Sequence, residues 1–442
     1  MTALATPPVT DVRAVTDPAP ARMPGASLLR HTVAGLLVTL WFLPLNFAVL
    51  TGVTLQFYTL VLGVAALTGL VMMYRGDRLL PLLTVAFGFL LLVAWLQDRS
   101  LNPTTTMLLQ IVAGYSLRWL CRSGVVAAYL MAAASTAALT VDLLAHDHVF
   151  MSLFGATYFP SVLDDRFRAQ GIIGQPLPAA LLTVTLLVYV GIAAKPAGRA
   201  ARRWLTASLV AMALCALYAT GTRSGLILVA VLWLLIWVER THRSRRGELR
   251  RFLGASTGVG VALLVAFLLW GRDLLGTTRL FDFTGLSGSD SYEVRSKAVT
   301  IISDLSDLRP CGTFCTAFGS GQGSLSESLR MGAGVNGVSV VDNQFLTAYW
   351  DFGVIGALLL ALPVARALWV LGTVGDVPAR AGAVGVLSVM AMCLFYDALY
   401  VSSAAFLLGF LLYARNPARH GGTSARTGVP VASDPPAPRG ES

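Results

Sequence analysis

The chain has 442 residues, of which 55% are Ala, Val, Ile, Leu, Met, Phe, Trp, Tyr or Cys and only 13% are charged, against roughly 25% charged in an ordinary soluble domain. With a mean hydropathy of +0.69, this composition excludes a single water-soluble core and predicts an all-α, polytopic membrane helix bundle. The net charge of +10 comes from 33 basic and 23 acidic residues, and the basic set is Arg except at Lys195 and Lys297.

A span needs about 20 predominantly apolar residues. Taken in order, apolar runs bounded by charges and turn residues predict spans near 32–50, 53–73, 79–96, 104–120, 124–144, 176–194, 204–220, 224–238, 252–270, 343–370, 380–396 and 398–413, about twelve in all. Placing the first of them with its N-terminus inside puts 23 of the 33 basic residues on the cytoplasmic side, as the positive-inside rule requires. Trp95, Trp119, Trp204, Trp237, Trp270 and Trp369 fall near predicted span ends, where interfacial anchors belong.

Residues 1–30 and 414–442 hold ten of the twenty prolines, with few aromatics and no apolar periodicity. Both read as disordered cytoplasmic tails flanking a membrane domain over 31–413. The N-terminal stretch lacks the short apolar core and cleavage site of a secretory signal, so the first span is expected to remain as an anchor. Two external connections are long, about 145–175 and 271–342, the second lying between spans 9 and 10, and long loops are usually functional. Any chemistry is therefore expected at the external face of the plasma membrane. Cys311 and Cys315 lie in the longer loop, where an oxidising compartment permits a disulfide. A zinc site is the weaker reading, because the loop has no His and only these two thiols.

Four stretches carry residues suited to chemistry. Arg166-Phe-Arg168-Ala-Gln-Gly171 puts two guanidinium groups before a span on the external side. There they either reach lipid phosphates or form a fork for a diphosphate. Thr220-Gly221-Thr222-Arg223-Ser224-Gly225 is a turn between apolar runs with one Arg at the membrane boundary, a costly placement that marks a functional candidate. In the long loop, Arg295 and Lys297 precede an amphipathic stretch and then Gly319-Ser320-Gly321-Gln322-Gly323. Glycines so spaced either let backbone N–H groups converge on an anion or form a flexible turn. Finally, Asp342-Asn343 and Asp351 stand at the external end of one predicted helix, the two carboxylates about two and a half turns apart. Asp342 is read either as a helix cap or as a general base.

Together these stretches resemble the O-antigen ligase and polymerase superfamily of membrane glycosyltransferases. The resemblance rests on an Arg-x-x-Gly element (Arg168 to Gly171), a Thr-Arg-Ser turn (Thr222-Arg223-Ser224), and a Gly-x-Gly element (Gly319 to Gly321). It also rests on Asn343 followed by Gly353 and Gly356, and covers roughly residues 160–360. It implies transfer of a glycan from a polyprenyl diphosphate donor to a glycan or glycolipid acceptor hydroxyl, at the external face and without a metal ion or cofactor. By the same resemblance Arg168 and Arg223, with Arg295 and Arg166, hold the donor diphosphate, and Asp342 and Asn343 are the catalytic candidates. The family's ligases carry His where this chain has Asp342, and no His occurs between 149 and 241 or between 243 and 419.

The residues support that chemistry independently. A positioned carboxylate that takes the acceptor's proton accelerates transfer by roughly a hundredfold or more, and fixed Arg donors stabilise the leaving diphosphate. The sequence has no Asp-x-Asp, and its first external loop, Thr51-Gly52, lacks acidic residues, which disfavours metal-dependent lipid-phosphate-sugar transferases. The alternative class is a transporter or flippase of lipid-linked saccharides, whose special residues ordinarily sit near mid-membrane. The expected partners are the lipid-linked donor, the acceptor and membrane lipids, and not nucleic acid.

Overall fold

The computed structural model describes residues 102–121, 124–153, 167–222, 312–321, 323–325, 327–329, 343–373, 376–394 and 396–412, together with Gly35, Gly63 and Gly88. These residues are helical or irregular and contain no strand. The predicted spans near 224–238 and 252–270, and all but one glycine each of the first three, lie outside them, as do both predicted tails.

The helices are α1 (Asn102–Leu120), α2 (Gly124–Ala145), α3 (Val149–Leu153), α4 (Pro176–Ala193), α5 (Arg199–Thr220), α6 (Gly312–Phe318), α7 (Gln344–Thr373), α8 (Val377–Met392) and α9 (Ser402–Leu412), with a 3-10 turn at Ala398–Tyr400 before α9. Four of them, α2, α4, α5 and α7, are long and apolar enough to cross a membrane. The chain is thus a membrane protein by the length and composition of its helices.

Their boundaries follow from local chemistry. Pro opens α4 at its first position, where its missing N–H costs nothing. Asp376 caps α8 by accepting from the Ala379 N–H at 3.2 Å, and α5 ends at Gly221 in the left-handed region, φ 59°, the usual glycine stop. Buried positions on α2 recur at Gly124, Ala127, Ala128, Met131, Ala132, Ser135, Ala138, Leu139 and Asp142, the three-and-four spacing of one helix face. On α4 nearly every residue is buried, so α4 is the central post, packed by α2, α5 and α8. Small residues allow the closest crossing. A Cβ at Gly114 of α1 would strike the Phe406 carbonyl, and one at Gly409 of α9 would strike that of Ile111. Such backbone approach is what holds helices together in lipid, where apolar burial provides little drive.

Hydrogen bonds between helix ends set the directions. The C-terminal ends of α2 and α5 and the N-terminal end of α4 meet around residues 168–175. The start of α7 joins the end of α8, Gln344 N–H donating to the Cys393 carbonyl at 2.8 Å. The start of α9 is tied to the same region through Tyr396 and Gln175. We term this the upper end. Described carboxylates gather there: Asp142, Asp147, Asp351 and Asp397. The lower end instead carries Arg118, Lys195, Arg199, Arg202, Arg203, Arg366 and Arg380, with Asp376.

One predicted span differs from expectation. The segment read as 343–370 runs to Thr373 and is broken at Gly353, which has φ 68° and ψ −163°. From Val354 to Thr373 the helix rises about 30 Å, one hydrocarbon thickness. Gln344–Phe352 is therefore a separate prelude at the upper end, and Asp351 lies before the break rather than further along a continuous helix.

Candidate functional site

The connection between α2 and α4, read as a long external loop, is a built element where it is described. Asp142, fully buried in the last turn of α2, turns its carboxylate to the backbone of this connection. Its Oδ2 accepts from the Gly171 N–H at 2.8 Å and the Gln170 N–H at 3.3 Å. Gly171 sits at φ 54° with Leu139 against it, a conformation that favours glycine. This explains the glycine of Arg-x-x-Gly by backbone geometry and close packing. His148, also buried, stacks on Phe167 with ring centres 5.0 Å apart, and its Nδ1 is 3.9 Å from Asp142 Oδ2. Burial holds His148 below its ordinary pKa of 6.5, while the Asp142 and Asp147 charges oppose the shift.

Two bonds dock this element on the end of α5. The Ala169 N–H donates to the Ala219 carbonyl at 2.9 Å, and Arg168 Nε donates to the Thr220 carbonyl at 2.9 Å. Thr220 is buried, and its hydroxyl receives a bond from Thr222 at 3.0 Å. The chain brings Arg168 onto the turn that leads to Arg223, although 52 residues separate Arg168 from Thr220. Arg223 itself, like Arg166, Arg295 and Asp342, lies outside the described residues.

Asn343 is described, and it caps α7. Its Oδ1 accepts from the Phe345 N–H at 3.0 Å and the Leu346 N–H at 3.2 Å, the bonds of an N-cap. Beside it, Gln344 Oε1 accepts from the Leu399 N–H at 3.0 Å. Thr347 Oγ1 donates to both oxygens of Asp397, at 2.9 and 3.1 Å. Tyr396, next to Asp397, donates its hydroxyl to Gln175, which closes the connection between the Arg168 segment and the start of α7.

The glycine element of the long loop turns inward onto the start of α7, where its last described N–H meets a carboxyl group of the chain itself. Asp351, 1% exposed, accepts from the Gly323 N–H at 2.9 Å, the Ser324 hydroxyl at 3.3 Å and the Leu325 N–H at 3.3 Å. The Ser320 and Gly321 N–H groups donate to the Trp350 and Asp351 carbonyls, and that of Gly319 to the Cys315 carbonyl. Contact is close on both sides: a Cβ at Gly319 would strike Asp351, and one at Gly353 would strike Ala317. Glycine is thus required at both positions by the approach of α6 to the break in α7. Cys315 is disulfide-bonded and Cys121, Cys215 and Cys393 are free; Cys311 lies outside the described residues. That bond removes Cys315 from the zinc reading. Among the described residues no three His, Cys, Asp or Glu side chains are grouped to hold a metal ion.

Sequence reading passed over Asp142, His148 and Asp397. For Asp142 a signal existed, since it is a carboxylate in an otherwise apolar span, and such a residue is a functional candidate by default. Asp397 gave none, because its partner Thr347 is 50 residues away, and His148 was passed over although Asp142 stands only six residues before it. No protein-family model matches the chain, and no curated protein matches it.

Proposed function

We propose that the chain is a membrane glycosyltransferase of about twelve spans, with a long external loop between spans 9 and 10. In this reading it transfers a glycan from a polyprenyl diphosphate carrier to an acceptor hydroxyl at the external face of the plasma membrane. The observation that carries the reading is the docking of Arg168 on the Thr220 carbonyl, which joins two arginine-bearing segments at one polar end of the bundle. Three further features support it. The described basic residues other than Arg168 gather at the lower end, the cytoplasmic side by the positive-inside rule. Disulfide-bonded Cys315 belongs with the upper end, and disulfides persist in oxidising compartments. Because α5 finishes and α7 starts at the upper end, an even number of crossings must separate them, which suits the predicted spans near 224–238 and 252–270.

In this mechanism Arg168 and Arg223, with Arg166 and Arg295, hold the donor diphosphate. Charge accumulates on that group as the glycosidic bond breaks, and fixed guanidinium donors in a partly dry site stabilise it more than mobile water does. Asp342 takes the proton from the acceptor hydroxyl, and Asn343 holds the start of α7 so that its neighbour is presented at a fixed place. Asp142 and Asp397 act at a distance from the chemistry, strapping the Arg168 segment and the start of α7 into one end. The test supplies purified protein with labelled lipid-linked repeat units. A ladder of products identifies a polymerase, and product only after a separate acceptor is added identifies a ligase. A change of sidedness in vesicles with no transfer rejects the enzyme in favour of a transporter.

A further inference from the structure

The lower end of α5 carries a second site unrelated to the chemistry above. A groove of about 730 Å³ runs along the helix, with Arg199, Arg202, Arg203 and Thr206 at one end and Val210 and Leu214 at the other. None of the described residues that line it is a carboxylate, and 194–222 contains no acidic residue at all. Three like charges in the first turns of a helix are unfavourable without a counter-ion, because the helix dipole is already positive there. The apolar wall is open as well: Val210 is 52% and Leu214 62% exposed.

We propose that this groove binds one anionic phospholipid, with its phosphate among Arg199, Arg202 and Arg203 and an acyl chain against Val210 and Leu214. The dimensions favour a lipid over a soluble anion. From Arg202 to Leu214 the helix rises about 18 Å, close to half of the roughly 30 Å hydrocarbon core, so the groove is one leaflet deep. Trp204, 77% exposed, marks the interfacial level where amphipathic rings settle, just above the arginines. Guanidinium groups match phosphate oxygens in paired geometry.

The full chain, purified in detergent and exchanged into mixed micelles of equal phosphatidylglycerol and phosphatidylcholine, is examined by native mass spectrometry. The wild type is expected to retain one phosphatidylglycerol per chain. The triple variant R199Q/R202Q/R203Q removes the headgroup contact, and Ala207→Trp fills the groove from an exposed position. Each is expected to lower the retained phosphatidylglycerol-to-phosphatidylcholine ratio about tenfold with an unchanged thermal midpoint. Retention unchanged in both variants overturns the proposal. A fall in the triple variant alone also overturns it, since diffuse attraction to anionic lipid needs no groove. A dimer that Ala207→Trp disrupts with no loss of lipid would assign the groove to a second copy of the chain instead.

Discussion

The two ends of the bundle use charge in opposite ways. At the upper end buried carboxylates are consumed by the protein's own backbone: Asp142 holds the Gln170 and Gly171 N–H groups, and Asp351 those of Gly323 and Leu325. At the lower end Arg199, Arg202 and Arg203 are exposed along α5, with no acid among the described residues of their groove. One end spends ionic groups on fixing irregular chain, which inside a membrane protein is tolerated only when its polar groups are satisfied. The other leaves them for the surroundings. Irregular backbone held by side-chain carboxyl groups is the costlier construction, and it adjoins the Arg168 segment, so the upper end is where geometry is being held.

If that end is catalytic, the largest effect belongs to Asp342. Asp342→Asn keeps the shape and loses the basicity, so donor binding should persist while transfer falls by roughly a hundredfold or more. Asp342→His should recover part of the rate and move the acidic limb of the pH profile toward about 6.5. An active Asn variant would remove Asp342 from the chemistry. Arg168→Lys and Arg223→Lys come next. Each keeps a charge and loses the paired donors, and transfer should drop about tenfold to a hundredfold with normal membrane insertion. Near-normal turnover in both would break the link between the docked arginine segments and the donor.

Asp351 sharpens the comparison by separating support from catalysis. Asp351→Ala leaves the buried Leu325 N–H without an acceptor and should destabilise the protein by about 1 to 3 kcal/mol, read as a lower unfolding midpoint. Asp351→Asn keeps one acceptor oxygen and should cost less, with transfer per folded molecule close to wild type. Loss of activity at unchanged stability in the Asn variant would return Asp351 to the catalytic candidates.

A smaller effect concerns His148. Its folded pKa is below 6.5 because burial disfavours the cation, so between the two values the unfolded chain binds more protons than the folded one. The stability it contributes is full above about pH 6.5 and falls as the pH drops from there toward the folded value. Thermal midpoints measured from pH 7.5 to pH 5 should therefore decline less steeply in His148→Gln than in wild type. Equal slopes would mean that His148 is not neutral in the folded protein.

Among the described residues the long apolar helices were legible in the sequence, because apolar runs of membrane length have few alternatives: the segment read as 176–194 is α4, and that read as 124–144 is α2, each within a residue or two. The break at Gly353 was not, since apolar composition continues through it and only the approach of Gly319 from the loop requires it. Within the site, Arg168 and its glycine could be recognised as a pattern. Their anchor, Asp142, stands 26 residues earlier and bonds to backbone, which leaves no residue pairing to recognise. The glycine element was legible as a tight turn, but its acceptors were not: the Gly319 and Gly321 N–H groups bond to carbonyls, and that of Gly323 to the Asp351 side chain 28 residues away.

The smallest effect, at Asn343, distinguishes two roles that the sequence could not separate. As a cap, Asn343 contributes through Oδ1 alone, accepting from the Phe345 and Leu346 N–H groups. Asp offers the same oxygen and ranks with Asn as a cap, whereas Ala offers none and costs about 1 kcal/mol. A capping role therefore forecasts that Asn343→Asp is nearly silent in stability and that Asn343→Ala lowers the unfolding midpoint slightly, with transfer following the folded fraction in both. A direct role in the chemistry requires the amide nitrogen, which both substitutions remove, and forecasts that both lose transfer to a similar degree whatever happens to stability. Because Asp keeps the cap and removes the donor, the Asp variant alone decides: full transfer confines Asn343 to holding the start of α7, and a collapse of transfer at an unchanged midpoint places its amide at the reacting groups.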